Sequence, residues 1–448
     1  MEQLMTRADG GEAEEIDVAV IGGGAAGLTA ALRAAANPGL RVAVFEKSTQ
    51  LGCNTQLSSG SLAAGGTRYQ AAAGVTDSPR RHAEDILAVS KDQESLPLLT
   101  AITEAAPAYV EWLADDLDHP MELGLDMPRS GQSVPRLHTD AGRRGGQVLV
   151  RTLRNAVARS DTIAFVDNCP GVGLTGSAAG VTGVQVLQNG QRQQVTARAV
   201  VLAADGFAAN EKLLAQYCTE AVGAFYGGPS SSTGEALTWG IELGARTRNL
   251  GAFLGHGLVV AGHGTRLNPN LPFLGAVLMN ASGNRFVDER AQGYSKLGAI
   301  LRALPEQRAA LVWTHAAHEI ALNSELMRQS LDAGAFARYD DLQALARGLR
   351  LPRDATARSL VDQAGLPLPF PLYGTWVTHG ILTTQGGLDV TAQGAVVRED
   401  GRVIPGLYAA GGSAAGVSGA SSAGYSSGNG LLAAMGLGWI VGNLLADS

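Results

Sequence analysis

The chain has 448 residues, roughly three times a typical domain length of about 150, which excludes a peptide-sized or disulfide-stapled scaffold and predicts two or three units, or one large domain with an insertion. Its 34 basic and 41 acidic residues give a net charge of -7, and no basic run could neutralise phosphates, so nucleic acid is not an expected partner. Glycine, with 59 residues, has about twice its usual share of roughly 7%, which predicts close backbone approaches, as around a large cofactor.

The cysteines and the leader indicate the compartment. Cys53, Cys169 and Cys218 are far apart and form no Cys-x-x-Cys pair, which argues against a disulfide framework and against a thiolate metal or iron–sulfur site. The leader MEQLMTRADGGEAEEI has the wrong chemistry for a signal peptide, and no run of 18 or more apolar residues follows it. We therefore expect a cytoplasmic protein without a membrane span or a bound metal.

The first predicted elements form a βαβ unit. Residues 16–22 (IDVAVIG) are an apolar run typical of a parallel strand buried on both faces, and an Ala- and Leu-rich helix follows, up to Ala36. A G-x-G-x-x-G pattern joins the two and consists of Gly22, Gly24 and Gly27. A second strand, residues 41–47, contains Glu46, about 20 residues beyond the last glycine, where an acidic side chain accepts the ribose hydroxyls of an adenine dinucleotide. This spacing predicts a dinucleotide site but does not separate FAD from NAD.

A small, polar loop after Glu46, residues 47–61 (KSTQLGCNTQLSSGS), is suited to wrapping a ligand. It resembles the E-K-x-x-x-x-G-G-N-[TS]-x-x-[SA]-x-G-G segment of the fumarate reductase and succinate dehydrogenase flavoprotein family. Further segments resemble that family in the same order: VVLAADGFAAN (200–210), TGEA (233–236), GNRFVDE (283–289) and GLYAAG (406–411). An Asn189-Gly190 pair before the first of them predicts a hairpin turn.

This resemblance implies an α/β fold with a discontinuous, Rossmann-like FAD-binding domain and an inserted α+β capping domain. The expected limits are 1–250 and 366–448 for the FAD-binding domain and 251–365 for the cap, with catalysis in the cleft between them. The proline-rich segment 349–371 is either a hinge at the exit from the cap or a plain surface loop.

The resemblance also implies how FAD is held. The expected contacts are Gly22, Gly24, Ala25, Ala26, Gly27, Glu46, Lys47, Asn54, Thr55, Ser59, Gly60, Val172, Ala204, Asp205, Asn210, Glu235, Thr383, Gly412, Gly430 and Leu431. Members that bind flavin covalently use a His where this chain has Asn54, so we expect noncovalent FAD. Since no haem or cluster motif is present, we expect a diffusible electron donor or acceptor.

The sequence departs from fumarate reductases at the positions that bind the dicarboxylate. Gapless matching places Gly293 at the catalytic Arg of the cap, Leu382 at a carboxylate-binding His, and Ser422 or Tyr425 at the second Arg. A C4-dicarboxylate without these groups would be an uncompensated double anion in a desolvated cleft. Fumarate and succinate are therefore not expected substrates.

Residues 423–428 (AGYSSG) instead resemble the G-Y-x-S-G of flavin dehydrogenases that introduce a C4–C5 double bond beside a steroid ketone. That resemblance implies that Tyr425 and Ser427 form a proton-transfer pair and that Tyr294 polarises or relays from the cap. To act as a base, a tyrosine of pKa near 10 needs help from a hydroxyl or from a helix amino terminus, such as the one predicted after Gly428. Ser427 could alternatively cap that helix.

The remaining candidates are less specific. Tyr373 is a further catalytic candidate that either lines the pocket or packs behind it. We interpret His256, His263 and His379 as satisfied loop histidines that could face the cleft. His315 and His318 have the spacing of metal ligands on a helix but no third ligand, so we interpret them as surface residues.

Three functions stay open. The first is desaturation of a cyclic or steroid-like ketone, or the reverse reduction of an activated C=C bond in a small-molecule substrate. The second is a reductase or dehydrogenase of another unsaturated acid, such as a tricarballylate- or urocanate-like compound, whose anion meets Arg290 or Lys296. The third is an electron-transfer or assembly subunit whose FAD only relays electrons.

Overall fold

The computed structural model describes residues 15–91, 93–125, 130–142, 144–177 and 179–448, so the polar leader, apart from its last residues, lies outside the described residues. The strands are β1 (Ile16–Ile21), β2 (Val42–Phe45), β3 (Leu62–Ala63), β4 (Met121–Leu123), β5 (Leu137–Asp140), β6 (Ile163–Val166), β7 (Gly171–Ser177), β8 (Gly180–Gln188), β9 (Gln191–Leu202), β10 (Phe225–Tyr226), β11 (Thr247–Arg248), β12 (Phe253–Val260), β13 (Val277–Met279), β14 (Arg308–Thr314), β15 (Ala337–Tyr339), β16 (Leu372–Thr384), β17 (Gly387–Leu388), β18 (Ala395–Val397) and β19 (Val403–Ala409). The helices are α1 (Ala25–Ala34), α2 (Asn54–Leu57), α3 (Arg68–Ala72), α4 (Pro79–Ser90), α5 (Leu96–Asp115), α6 (Gly146–Ala158), α7 (Glu211–Tyr217), α8 (Glu235–Glu242), α9 (Glu289–Arg302), α10 (His315–Ala321), α11 (Glu325–Asp332), α12 (Leu342–Leu349), α13 (Arg353–Ser359) and α14 (Asn429–Ala446).

The larger sheet is built around β1. Its order is β18-β19-β9-β1-β2-β6, and β1 pairs in parallel with β2 and β9, so its apolar residues are buried on both faces. The predicted βαβ unit is therefore present, with ends that differ from the prediction by one or two residues. The predicted hairpin turn is also present: Asn189 and Gly190 join β8 to β9 with φ of 51° and 78°, as a tight two-residue turn requires.

The second sheet is organised by β16, which pairs with β14 and β10 along one edge and with β12 and β15 along the other. Separate apolar clusters pack on it, one of them centred on the fully buried Trp313. Because β10 and β16 belong to this sheet, it extends beyond the predicted cap limits of 251–365 on both sides. Part of the proline-rich segment 349–371 forms helix α13.

Among the described residues, one helix, α14, is long and apolar enough to cross a membrane, with a mean hydropathy of 1.4. Of its residues, 56% are buried within the protein, and the helix packs mainly against α1 and α5. Thr29 Oγ1 donates to Met435 Sδ at 3.3 Å, and Arg33 Nε donates to Asn443 Oδ1 at 2.9 Å. Packing inside the fold thus accounts for the apolar composition of α14.

Candidate functional site

A groove lies at the carboxyl end of β1, where the chain turns into α1. Gly22 has φ of 111°, and a Cβ there would lie 2.2 Å from Ala203 O. A Cβ on Gly27 would lie 2.0 Å from Gly22 O, so this glycine lets α1 pack on β1. Helix α1 begins at the groove, its Gly24 N-cap offers no side-chain cap, and the helix amino terminus therefore faces the groove as an anion site.

Glu46 closes one side of this groove. Its Oε2 accepts a hydrogen bond from Gly23 N at 2.6 Å, and its Oε1 accepts one from Ser48 N at 2.9 Å. A carboxylate accepts about four hydrogen bonds, so each oxygen keeps acceptor capacity for a ligand hydroxyl.

The polar loop after Glu46 wraps the other side. Asn54 Nδ2 donates to Asp205 Oδ2 at 2.5 Å, and Thr55 Oγ1 accepts from Ala25 N at 3.1 Å, which ties the loop to α1. Lys47 Nζ lies 2.6 Å from Glu235 Oε1, and this ion pair lowers the pKa of the Glu235 carboxyl against the opposing effect of burial.

Most of the predicted cofactor contacts line this groove. They are Gly22, Gly24, Ala25, Ala26, Glu46, Lys47, Asn54, Thr55, Ser59, Ala204, Asp205, Glu235, Thr383, Gly412, Gly430 and Leu431.

Four predicted contacts lie outside the lining. Gly27 packs α1 on β1, and a Cβ on Gly60 would lie 2.8 Å from Gly145 C, so both are positions of close backbone packing. Asn210 accepts the N–H groups of Lys212 and Leu213 as the N-cap of α7. Val172 lies beside the lining residue Gly171.

The groove continues into a cleft between the two sheets, and groove and cleft together form one cavity of about 480 Å³. The second sheet and its loops contribute His256, Arg266 and Tyr294 to the lining. Leu57 and Ile320 lie in the same lining with 39% and 49% of their surface exposed, so apolar side chains form part of its solvent-facing edge.

Tyr425 and Tyr294 meet in this cleft. Tyr425 is only 7% exposed, and its hydroxyl accepts the backbone N–H groups of Gly428 and Gly430 at the start of α14 and hydrogen-bonds Tyr294. Burial raises the pKa of Tyr425 above its ordinary value, and Tyr294 raises it further, while the two N–H groups act in the opposite direction. The helix amino terminus predicted to help this tyrosine is present, but the net shift of the pKa keeps the hydroxyl protonated near neutral pH.

Ser427 lines the cleft. The predicted partner of the Tyr425 hydroxyl is Ser427, but the side chain that hydrogen-bonds it in the structure is Tyr294. Helix α14 has Gly428 as its N-cap and no side-chain cap, so Ser427 does not cap it. Ser130 and Gln132 hold the backbone of Ser427. Its N–H donates to Ser130 O at 2.9 Å, and its carbonyl accepts from Gln132 Nε2 at 2.7 Å.

A buried ion network stands behind Gln132. Arg136 Nη1 donates to Gln132 Oε1 at 2.5 Å and to Asp85 Oδ2 at 2.7 Å. Its Nε and Nη2 donate to the two oxygens of Asp77 at 2.7 and 2.8 Å. The side chains of Arg136 and Asp77 are fully buried, and through Gln132 this network helps to hold the turn that carries Tyr425 and Ser427.

Two predictions on aromatic and histidine residues are corrected. Tyr373 lies outside the cleft lining and stacks on His318, with ring centroids 3.8 Å apart, which argues against its predicted catalytic role. His318 is buried beneath that ring, so its interpretation as a surface residue is wrong, whereas His315 is exposed. No group of three potential metal ligands occurs among the described residues.

The other histidines divide between cleft and periphery. His256 lines the cleft, its Nδ1 accepts from Leu258 N at 3.1 Å, and its ring centroid lies 5.2 Å from that of Tyr294. Burial, with a smaller effect of Arg266, lowers the pKa of His256 to about 3, so it is neutral. His379 is buried and bonds Gln307 Oε1 at 3.2 Å.

Sequence reasoning missed the arginine of this cleft. Arg266 belongs to no motif and follows β12 in a loop, so nothing in its sequence context separates it from a surface arginine. Arg290 and Lys296, the predicted partners of a substrate anion, are exposed on α9 and do not line the cleft.

Comparisons with known proteins identify the family of the chain. The family described as FAD binding domain matches residues 17–431 of the chain. The NADH:fumarate oxidoreductase of Klebsiella pneumoniae is 27% identical over 426 residues, which cover 91% of this chain and 45% of that enzyme. The chain thus spans less than half the length of this relative.

Two solved structures show the same fold. The open conformation of a flavocytochrome c3 fumarate reductase has a TM-score of 0.81 at 25% identity, over 98% of this chain and 79% of that one. The 3-ketosteroid-Δ4-(5α)-dehydrogenase of Rhodococcus jostii RHA1 has a TM-score of 0.76 at 24% identity, over 98% and 99%. The predicted α/β class and the resemblance to fumarate reductase flavoproteins are confirmed.

Proposed function

The chain belongs to the FAD binding domain family and is an FAD-dependent oxidoreductase, and we propose that it desaturates a cyclic or steroid-like ketone or, in reverse, reduces the activated C=C bond of an enone. The observation that carries this proposal is the buried hydroxyl of Tyr425, held between two N–H groups and Tyr294. A neutral, protonated hydroxyl suits proton exchange at the carbon beside a ketone.

The residues of the groove fit FAD. The amino terminus of α1, reached through Gly22 and Gly24, would hold the pyrophosphate, and Glu46 would accept the ribose hydroxyls. The wrapping loop with Asn54 and the start of α14 would hold the flavin. When bound, FAD supplies the acceptor or donor of hydride.

The protein's own groups would handle the proton. In the direction of reduction, Tyr425 donates its proton to the carbon next to the substrate carbonyl, because its raised pKa keeps it protonated. The N–H groups of Gly428 and Gly430 stabilise the charge left on its oxygen, the hydroxyl of Tyr294 returns a proton to it, and Tyr294 regains its proton from solvent. Desaturation uses the same groups in the opposite order, and electrons enter or leave through a diffusible partner.

The alternatives have less support. An unsaturated acid bound through Arg290 or Lys296 is disfavoured because both side chains lie outside the cleft lining. An electron relay would need a solvent-facing flavin edge but would not need a cleft that holds a buried pair of tyrosines. The pairing of Tyr425 with Tyr294 therefore disfavours this alternative.

A screen tests the proposal. Holoenzyme reduced under anaerobic conditions is mixed with enones, unsaturated carboxylates and, as a relay control, one-electron dyes, and flavin reoxidation is followed by absorbance. We expect reoxidation by at least one cyclic enone. Reoxidation by dyes alone would refute the proposed function.

Fumarate and succinate should be turned over negligibly. Gly293, Leu382 and either Ser422 or Tyr425 occupy the family positions that hold the dicarboxylate, and none of them is a cation. The measurement is fumarate-dependent oxidation of a reduced dye. Robust turnover by the unaltered protein would show that the matching of the cap segment is wrong.

The flavin should be FAD and should leave the protein intact on denaturation. Asn54 stands at the position of the histidyl link and hydrogen-bonds Asp205, so no covalent bond to the flavin is available there. Heat- or acid-denatured protein is separated by centrifugation and the supernatant flavin identified by chromatography. Flavin retained on the precipitated chain would contradict this prediction.

A further inference from the structure

The cleft contains a cation that the proposed proton transfers do not use. Arg266 lines it beside Gly227: a Cβ on Gly227 would lie 3.8 Å from Arg266 Cδ and 2.8 Å from Leu382 Cδ2. Arg266 is also close enough to Tyr294 and His256 for its charge to interact with both. Arg266 therefore lies near Tyr294, one of the two tyrosines to which the proposed function assigns proton transfer.

This guanidinium is only weakly compensated. Among the described residues its hydrogen-bond partner is Leu57 O, which accepts from Nη2 at 3.1 Å, and no described carboxylate forms an ion pair with it. By contrast, Arg136 and Arg285 are paired with Asp77 and Glu289. An arginine has five N–H donors, so most of those on Arg266 remain for a ligand.

Among the described basic side chains of the lining, Arg266 is the one without a carboxylate partner. The other basic side chains of the lining, Lys47 and Arg144, are each paired with a carboxylate, Glu235 at 2.6 Å and Asp140 at 2.6 Å. Burial lowers the pKa of the half-buried Arg266, and an anionic ligand would oppose this effect by stabilising the charged form. A planar guanidinium matches a carboxylate with two parallel hydrogen bonds.

We propose that Arg266 binds a carboxylate of the substrate, which makes the substrate class a monoanionic keto acid or enone acid with an apolar body. The proposal rests on the proposed function, since it places the ketone at Tyr425 and Tyr294. Arg266 is thus a specificity-determining residue, and the partly exposed Leu57 and Ile320 contact the apolar body.

The test compares acids with their uncharged esters on the FAD-loaded protein. A panel of pairs such as 4-oxocyclohexanecarboxylate and its methyl ester, extended to bicyclic and tricyclic keto acids, is titrated while the flavin absorbance is recorded. We expect at least one acid to bind more tightly than its ester by about 10- to 100-fold, as for a charge-assisted bidentate contact. Arg266→Met should abolish this preference by weakening the binding of the acid, and Arg266→Lys should retain part of it.

The matched control is Arg338→Met. Arg338 is an exposed arginine of the same sheet, paired with Asp340 and outside the cleft lining, so its loss should not change the acid preference. Circular dichroism and FAD content verify that each variant is folded. If no acid binds more tightly than its ester, or if Arg266→Met keeps the preference, the proposal is overturned.

Tyr425→Phe separates this failure from that of the proposed function. If the acid preference depends on Arg266 while Tyr425→Phe reacts at the parent rate, the carboxylate site stands and the proposed chemistry fails. If Tyr425→Phe is slow but no acid is preferred, the chemistry stands and the keto acid assignment fails.

Discussion

Tyr425→Phe should slow flavin reduction by a ketone substrate about 100-fold or more while leaving FAD bound, since loss of general acid–base help typically costs about 10²–10⁴-fold. The substitution removes only the hydroxyl that Gly428, Gly430 and Tyr294 hold. The ring stays buried, so the fold and the flavin spectrum should not change. Stopped-flow absorbance of the flavin, with the saturated ketone that corresponds to an enone found in the screen, measures the rate.

Two further variants sharpen this result. Tyr294→Phe should also be slow, and the double variant should be far less impaired than the product of the two single effects if the hydroxyls act as one relay. Tyr373→Phe serves as the matched control, because Tyr373 packs on His318 outside the cleft lining and should react at the parent rate. A parent-like rate for Tyr425→Phe would show that its ring only packs.

Arg136→Met should destabilise the protein by about 3–5 kcal/mol, the usual cost of leaving a buried charge without its partner. It strands the fully buried Asp77 carboxylate and also removes the contact with Gln132, which holds the carbonyl of Ser427. Urea denaturation followed by circular dichroism measures the loss. Arg68→Met is the control, because its pair with Asp115 is about half exposed and should matter little, and equal effects of the two substitutions would contradict the prediction.

The same network predicts sensitivity to acid. Burial opposes ionisation of Asp77 and Asp85, but the hydrogen bonds and the charge of Arg136, together with hydrogen bonds from neighbouring groups, outweigh it and lower both pKa values in the folded state. A group whose folded pKa is lowered stabilises the protein above its unfolded pKa of about 3.9, and this contribution is lost as the pH falls through the folded value. The free energy of unfolding of the parent should therefore fall below about pH 4 more steeply than that of Arg136→Met.

Local patterns predicted the βαβ unit and the hairpin because strand, glycine and turn signals there lie next to each other in the chain. They did not place β16, whose partners β12 and β14 are far away in sequence and whose pairing is decided by the assembled sheet. Tyr373 illustrates the difference, since the sequence names the residue but the strand directs its ring towards His318.

Within the site, Tyr425 and Tyr294 could be anticipated together because each lies in or beside a motif segment. Arg266 could not, because what distinguishes it is the cleft around it and the absence of a carboxylate partner among the described residues. The roles given to Tyr425, Tyr294 and Ser427 stay predictions until their variants are measured.

Strand β16 belongs to the second sheet and also contributes residues to the lining of the cleft. Its first residues pair with β14 and β15, its last residues pair with β12, and Leu382, Thr383 and Thr384 line the cleft. With 13 residues it is a tether about 43 Å long that is already extended and has no slack. Because the strand is extended and its last residues line the cofactor groove, a shift of the second sheet along the strand axis would also displace Leu382, Thr383 and Thr384 in the lining.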